Sequence, residues 1–405
     1  MIRKAGLAAV KGFQFAGVVG GGAAPKKNIG LIYTDEKETY GTAVYTKNDV
    51  VAAPIVICKE YDKLSNRKRA ILINSGNANA FTGAQGFLDA RFCAERAANL
   101  LQLDTAELYI GSTGVIGQKL EMDAITEGME CAMKNLHEGQ QAANDFNEAI
   151  MTTDTKMKQA SVSCEIGGKT VNIAACVKGA GMIMPDMATM ICVVLTDAKI
   201  APELMPHILQ GAVEDTFNCI TVDGDTSTND SVFFLANGAA GNPEIDDVNG
   251  ADYQTFATQF HALMEHMAKE VVKDGEGVTK FITIQVEHVP TREQGKAVAF
   301  SIANSPLVKT AFYGQQLNWG RLMMAIGKAQ TGLDCNVIDI YVNGFAVLEN
   351  GEPVLQGATF KQAEATLVDQ NVDVLIDFKQ GDVNVTVWTC DYSLDYIKIN
   401  ADYMT

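Results

Sequence analysis

No apolar stretch in these 405 residues approaches the roughly 18 consecutive positions that a bilayer-spanning helix needs. The longest near the centre, Met190 to Leu195, suits a buried strand instead. Arg3 and Lys4 precede an apolar stretch in the manner of a signal peptide. Lys11 interrupts it, however, and no small-x-small cleavage site follows, so a cytoplasmic chain is expected. Basic residues are few: 32 Lys+Arg against 49 Asp+Glu give a net charge of −17. That balance argues against nucleic acid and against an anionic membrane as partners. Histidine is scarce as well. His137, His207, His261, His266 and His288 form no HExxH, and the closest pair, five apart, lies off a shared helical face, so no metal site is expected. Nine cysteines include no pair spaced by two residues, and several sit in apolar runs, which reads as buried free thiols in a reducing compartment.

Nucleotide signatures are missing too. Gly168-Lys169-Thr170 resembles the end of a P-loop, but the required upstream glycine is Ser163. Gly17-Val-Val-Gly20 and Gly179-Ala-Gly181 lack the dinucleotide-binding register and read as turns. No GxSxG is present, which removes the simplest serine hydrolase. Lys26-Lys27 and Arg67-Lys68-Arg69 read as solvated basic patches.

What is present is a globular composition, 47% hydrophobic and 20% charged, with no repeat, low-complexity tract or Pro/Ser linker. Strand-like runs are 54–58, 70–74, 171–177, 190–196, 231–236, 281–287, 297–302, 337–342, 372–376 and 383–389. Helical periodicity covers 89–101, 121–137, 202–217 and 253–272. Both kinds alternate to the end, and several late strands follow one another. A mixed α/β (α+β) fold with antiparallel or mixed sheets is expected.

The 36 glycines, about 9% against an average near 7%, collect in polar islands. These are Asn74–Asn79, Gly111–Gly114, Lys178–Gly181 with Pro185–Thr189, and Asp223–Asp230. Each abuts an apolar run, as loops at strand ends do, where binding sites are commonly built. Thr189 stands between one island and the apolar run that follows it. A hydroxyl nucleophile needs a base, and no histidine is near. Were the Ala188–Thr189 bond to break, the new α-amine of Thr189, with a pKa near 7.7–8.0, would suit that task. The plainer reading, that Thr189 merely begins a buried strand, stands beside it.

Lys178-Gly-Ala-Gly-Met-Ile-Met-Pro-Asp-Met-Ala-Thr-Met190 closely resembles the self-cleavage motif of the ornithine acetyltransferase (glutamate N-acetyltransferase) family of arginine biosynthesis. Asn74–Ala80, Ser112–Gly117, Met151–Thr155, Asp223–Asp230, Asp274–Lys280, Asn318–Arg321 and Asn400–Thr405 resemble further motifs of that family, in family order. The likeness runs from about residue 12 to the last residue. It implies an αβ sandwich of mixed sheets built jointly from two self-cleaved fragments, 1–188 and 189–405, acting as one intertwined catalytic unit. It also implies that Thr189 is the nucleophile, that Thr113 and Gly114 form the oxyanion hole, and that Thr152, Lys178, Thr189, Glu276, Asn400 and Thr405 bind substrate.

The activity so implied is a ping-pong transfer of acetyl from N-acetylornithine to glutamate through an acetyl-threonine ester. It needs no cofactor, with acetyl-CoA left open as a second acetyl donor, and the expected assembly is a heterotetramer of two α and two β fragments. The chain departs from the family's usual residues at Gly20–Ala24, Phe81, Met184, Asp186 and Gln316-Leu317, none of which is assigned to the chemistry. Two rival readings are a self-processing aminopeptidase with a nucleophile at its new N-terminus, and a non-catalytic amino-acid-binding protein.

Overall fold

The computed structural model describes residues 1–3, 5–20, 26–184 and 190–402, which form two compact units. Of the described residues, the first takes those of Met1–Asn218 and Asp225–Val271, the second Cys219–Gly224 and Val272–Asp402. In the first unit the order is β1 (Gln14–Val18), β2 (Ile29–Tyr33), β3 (Tyr40–Tyr45), α1 (Ala53–Asp62), β4 (Ala70–Asn77), α2 (Gly83–Leu101) and β5 (Leu108–Val115). It continues with α3 (Met122–Lys134), α4 (Gln140–Ile150), β6 (Lys158–Ile166), β7 (Lys169–Lys178), β8 (Ile191–Thr196), α5 (Met205–Asp215), β9 (Ser231–Ala236) and α6 (Ala251–Lys273).

Two mixed sheets result. One has the order β1-β2-β4-β5, the other β3-β9-β8-β7-β6. The parallel pairs β4–β5 and β8–β9 are embedded in otherwise antiparallel ladders. The second sheet mixes strands from both sides of residue 189, because β8 lies between β7 and β9.

Alternation along single strands stacks the layers. On β5, Tyr109 turns to the second sheet and meets the Phe233 ring at 4.9 Å. Gly111, two residues on, faces Ile191 and Phe233. The intervening Ile110 and Ser112 line a small cavity with Pro54 of α1, Cys93 of α2 and Ile125 of α3. On β9, Phe233 points inward while Phe234 packs at 4.8 Å on Phe260 of α6. The arrangement is helices, sheet, sheet, helix.

The second unit holds β10 (Phe281–Val289), α7 (Arg292–Ala303), α8 (Pro306–Tyr313), α9 (Trp319–Lys328), β11 (Asp339–Val342), β12 (Phe345–Glu349), β13 (Glu352–Pro353), α10 (Gly357–Ala365), β14 (Asn371–Asp377), β15 (Val383–Cys390) and α11 (Leu394–Asp402). Its sheet, β13-β12-β11-β14-β10-β15, is also mixed, with β10 and β14 parallel. The valines and isoleucines of its central strands form a buried core with α7 and α9.

The mixed α/β class expected from sequence is the one observed. Two expected strands are helices. Run 54–58 belongs to α1, where Pro54 sits in the first turn, and 297–302 belongs to α7, capped by the Thr291 hydroxyl accepting from Gln294 N. Short β-branched runs do not separate a buried helix from a strand, and packing on the sheets decides it. Helix α5 begins at Met205 rather than Pro202. Strands β1, β2, β3, β5, β6, β12 and β13 were not anticipated. Glycine weakens the strand signal in several of them, yet a methyl at Gly17 would stand 1.8 Å from the Asp145 carbonyl oxygen, so α4 packs on β1 only across a glycine.

Of Gly168-Lys169-Thr170, Gly168 lies in the Gly167-Gly168 turn between β6 and β7, while Lys169 and Thr170 open β7 and pair with Ile166 and Glu165. The basic patches are corrected. Lys68 is fully buried, donates to the Ala106 carbonyl at 2.9 Å, pairs with Asp62 at 3.2 Å and lies over the Tyr109 ring. Lys27 bridges Asp145 and Glu148, both at 2.8 Å.

No helix among the described residues is long and apolar enough to cross a membrane. All nine cysteines are free thiols. Burial pushes the Cys58, Cys93 and Cys176 thiols up to about 12. Since the thiolate is the reactive form, a thiol reagent at neutral pH should modify exposed Cys131 first and Cys164 and Cys335 slowly. Cys58, Cys93, Cys176, Cys192, Cys219 and Cys390 should react only after denaturation. Mass mapping of the labelled native protein checks this, and rapid labelling of Cys176 or Cys192 contradicts it.

Candidate functional site

The island 111–114 is not a loop. It is the end of β5, paired in parallel with the island 74–77 at the end of β4, Ser75 opposite Thr113 and Gly76 opposite Gly114. Thr113 continues the alternation of Tyr109 and Gly111, so it stands on the face of β5 turned to the second sheet. Gly114 has φ +133°, and a methyl there would sit 2.2 Å from the Gly76 carbonyl carbon. Only glycine fits this register.

Lys178, at the end of β7, is buried, and its Nζ donates to Thr113 Oγ1 at 3.1 Å. An ammonium has no acceptor capacity. Thr113 therefore accepts from Lys178 and keeps its own O–H for another acceptor. In the ladder Lys178 pairs with Ile191, two residues after Thr189 in the chain. The flanks are held by the fourth island and by Ser231, which follows it. Thr226 Oγ1 donates to the Met184 carbonyl at 2.9 Å, and Ser231 N donates to the Met190 carbonyl at 2.9 Å. The same island reaches the other two: buried Asn229 donates through Nδ2 to the carbonyls of Ala78, at 2.6 Å, and Ser112, at 2.8 Å. Ala188 and Thr189 themselves lie outside the described residues, as does Thr405.

Thr152 follows α4, and its carbonyl accepts from Lys26 Nζ at 2.9 Å, so Lys26 is no mere solvated charge. Its N–H donates to Asp154 Oδ2 at 3.0 Å. Asp154 also accepts through Oδ1 from Lys158 Nζ at 2.6 Å and from Gly179 N at 2.7 Å. Its side chain and that of Lys158 are wholly buried. Burial alone would raise the Asp154 carboxyl, but the charges of Lys158 and Lys178 and the Gly179 N–H outweigh it and hold the group to about 2. Asp154 is thus a carboxylate throughout the neutral range. Thr113, Gly114 and Lys178 come together, and Asp154 joins Thr152 to them.

Glu276 and Asn400 belong to the second unit and meet there, Asn400 Nδ2 donating to Glu276 Oε2 at 2.8 Å. Glu276 is buried. Its loop is held by buried Asp391, whose Oδ1 accepts from Thr279 N and Lys280 N, both at 2.9 Å. Ser393 Oγ donates to the Gly277 carbonyl at 2.6 Å. Beside them Lys309, fully buried and lowered by that burial, donates to Thr389 Oγ1 at 3.0 Å.

Asp154, Lys158, Asn229 and Asp391 were missed as supports of the site. Asp154 lies inside the motif 151–155 and was within reach of the sequence; Asp391, beside no glycine island, gave no signal. Among the described residues no group of three or more His, Cys, Asp or Glu is placed to hold a metal ion.

A profile of the ArgJ family matches residues 14–405. The arginine biosynthesis bifunctional protein ArgJ of Listeria monocytogenes is 41% identical over 402 residues, 99% of either chain. The glutamate N-acetyltransferase of Methanocaldococcus jannaschii is 38% identical over 412 residues, 99% of this chain and 98% of its own. A crystal structure of arginine biosynthesis bifunctional protein argJ from Bacillus halodurans matches with a TM-score of 0.50 and 36% identity. It covers 52% of this chain and 98% of the solved one, so that solved polypeptide is about half as long.

Gly114→Ala should destabilise the first unit, because positive-φ strain alone costs about 1–3 kcal/mol before the clash with Gly76 is counted. Gly211→Ala, on open α5 surface, should be neutral or stabilising. Thermal melts of the two variants should move in opposite directions or differ by several degrees; equal melting temperatures contradict the assignment.

Proposed function

The chain belongs to the ArgJ family, and from that premise we propose that it moves an acetyl group from N-acetylornithine to glutamate through an ester on Thr189. It is an acyltransferase of arginine biosynthesis. The observation that carries the mechanism is the Lys178–Thr113 hydrogen bond beside the strand that begins two residues after Thr189.

Cleavage of the Ala188–Thr189 bond gives Thr189 a free α-amine. In the acyl-transfer step the Thr189 hydroxyl oxygen attacks the acetyl carbonyl while that amine takes its proton. Charge develops on the carbonyl oxygen, and the Thr113 O–H, left free by Lys178, and the Gly114 N–H are the donors that stabilise it. Collapse breaks the C–N bond and returns the proton to the leaving ornithine amine. Glutamate then attacks the ester with its amine, Thr189 leaves as the hydroxyl, and N-acetylglutamate departs. Self-cleavage uses the Thr189 hydroxyl and the same oxyanion donors once: the hydroxyl attacks the Ala188 carbonyl, the N→O acyl shift breaks the C–N bond and frees the α-amine, and water hydrolyses the ester.

Lys178 of the first unit and Glu276 of the second are proposed substrate-binding residues, one cationic and one anionic. Thr152, Asn400 and Thr405 complete the substrate contacts in this reading. The half-length solved relative supports a family whose members exist as fragments. Two copies of each fragment are the proposed assembly, and no cofactor takes part in the transfer itself.

Denaturing gels of the purified wild type should show two bands meeting at residue 189, and Thr189→Ala should remain a single inactive chain. N-acetylornithine plus glutamate should yield ornithine and N-acetylglutamate in equal amounts. A full-length, uncleaved and active wild type sinks the mechanism. The same assay with acetyl-CoA as sole donor separates a one-donor enzyme from a two-donor one.

A further inference from the structure

Of the buried charges in the first unit, Asp154 has a geometry that the reaction above does not use. Its two oxygens collect three donors from three places: Thr152 N after α4, Lys158 Nζ at the start of β6, and Gly179 N just past β7. The last is the residue next to Lys178, whose Nζ reaches Thr113. We infer that Asp154 is a positioning residue of the oxyanion hole: by holding the Gly179 N–H at the end of β7 it aims Lys178 at Thr113, and so directs the Thr113 hydroxyl proton toward the reacting carbonyl.

The physical case has three steps. A hydroxyl rotor has no fixed direction unless a neighbour sets it. Lys178, a pure donor at 3.1 Å, sets it by occupying an acceptor lone pair of Thr113 Oγ1. Lys178 has a flexible four-carbon stem, so its aim depends on where its backbone is pinned and on the field around it. Strand pairing with Ile191 pins one side and the Gly179–Asp154 bond pins the other. A buried carboxylate between Lys158 and Lys178 also offsets the cost of burying two ammonium groups near each other. An asparagine would keep the shape but has one acceptor oxygen in place of two, so its NH2 group must face either Thr152 N or the Gly179 N and Lys158 donors, and the joint is broken along with the charge.

The inference rests on the reading of Thr113 as an oxyanion donor. Its test is a double-mutant cycle of Asp154→Asn with Thr113→Val, read twice: on the rate of self-cleavage, and on kcat with N-acetylornithine and glutamate per cleaved chain. Thr113→Val alone should lower kcat about 10²- to 10³-fold, the range for loss of one oxyanion donor. Asp154→Asn alone should lower it about 10- to 100-fold, as loss of an outer-shell partner does. In the double variant the Asp154 effect should vanish, because the group through which it acts is gone.

If the two effects multiply, Asp154 supports the fold generally and the inference falls. Asp154→Asn with wild-type kcat also overturns it. Should Asp154→Asn not fold by circular dichroism, Asp154→Glu keeps the charge, displaces it by one methylene and passes through the same cycle with the same two outcomes. A wild type without acetyl transfer removes the functional reading and this inference together; an active wild type with multiplying effects removes only the inference.

Discussion

A protonated lysine can donate hydrogen bonds and cannot accept them, and the candidate site depends on that asymmetry. Lys178 reaches from the second sheet of the first unit to Thr113 on the first sheet. For the bond to form, the two sheets must face each other at the ends of β5 and β7. That facing is set by the aromatic and branched side chains between them, Tyr109 on Phe233 above all. The apolar core thus does more than stabilise. It sets the distance at which one cation orients one hydroxyl.

Both units hold their candidate polar groups by the same device. Each has a buried aspartate that accepts backbone N–H groups from segments adjoining a residue proposed to bind substrate: Asp154 beside Thr152 and Lys178, Asp391 beside Glu276. A carboxylate with several donors is a rigid joint, since charge-assisted bonds are stronger and more directional than neutral ones. Such a joint tolerates burial because its partners neutralise it. Loops rich in glycine and asparagine carry little stiffness of their own, so they need joints of this kind.

Much of the site was legible as residue types. Threonine followed by a wholly apolar run, glycine at a strand end and an isolated lysine before Gly-Ala-Gly are local facts. Their order along the chain places the family without any knowledge of contacts. The element pattern was legible more unevenly. β9, β10, β11, β14 and β15 read correctly because their branched side chains are buried on a pleated surface. The run 54–58 read as a strand for the same reason and is helical, because Pro54 starts a turn and α1 lies on a sheet. Strands β1 and β3 were invisible because their glycines serve neighbours elsewhere in the chain.

The sequence by itself determined the chemistry available: a hydroxyl that a chain break would furnish with an amine, a pure donor in Lys178, carboxylates at 154, 276 and 391, and glycines where backbone must come close. Only the tertiary structure decided which of these meet. Lys178 and Thr113 are 65 residues apart, Asn229 and Ser112 117, and Glu276 and Asn400 124. Local patterns report propensity and burial over a few residues, whereas a hydrogen bond is decided within tenths of an ångström by everything packed behind it. That is why Thr189 could be proposed as the nucleophile from the chain alone, while the partners of Asp154, a residue inside a motif the sequence already showed, could not be read there.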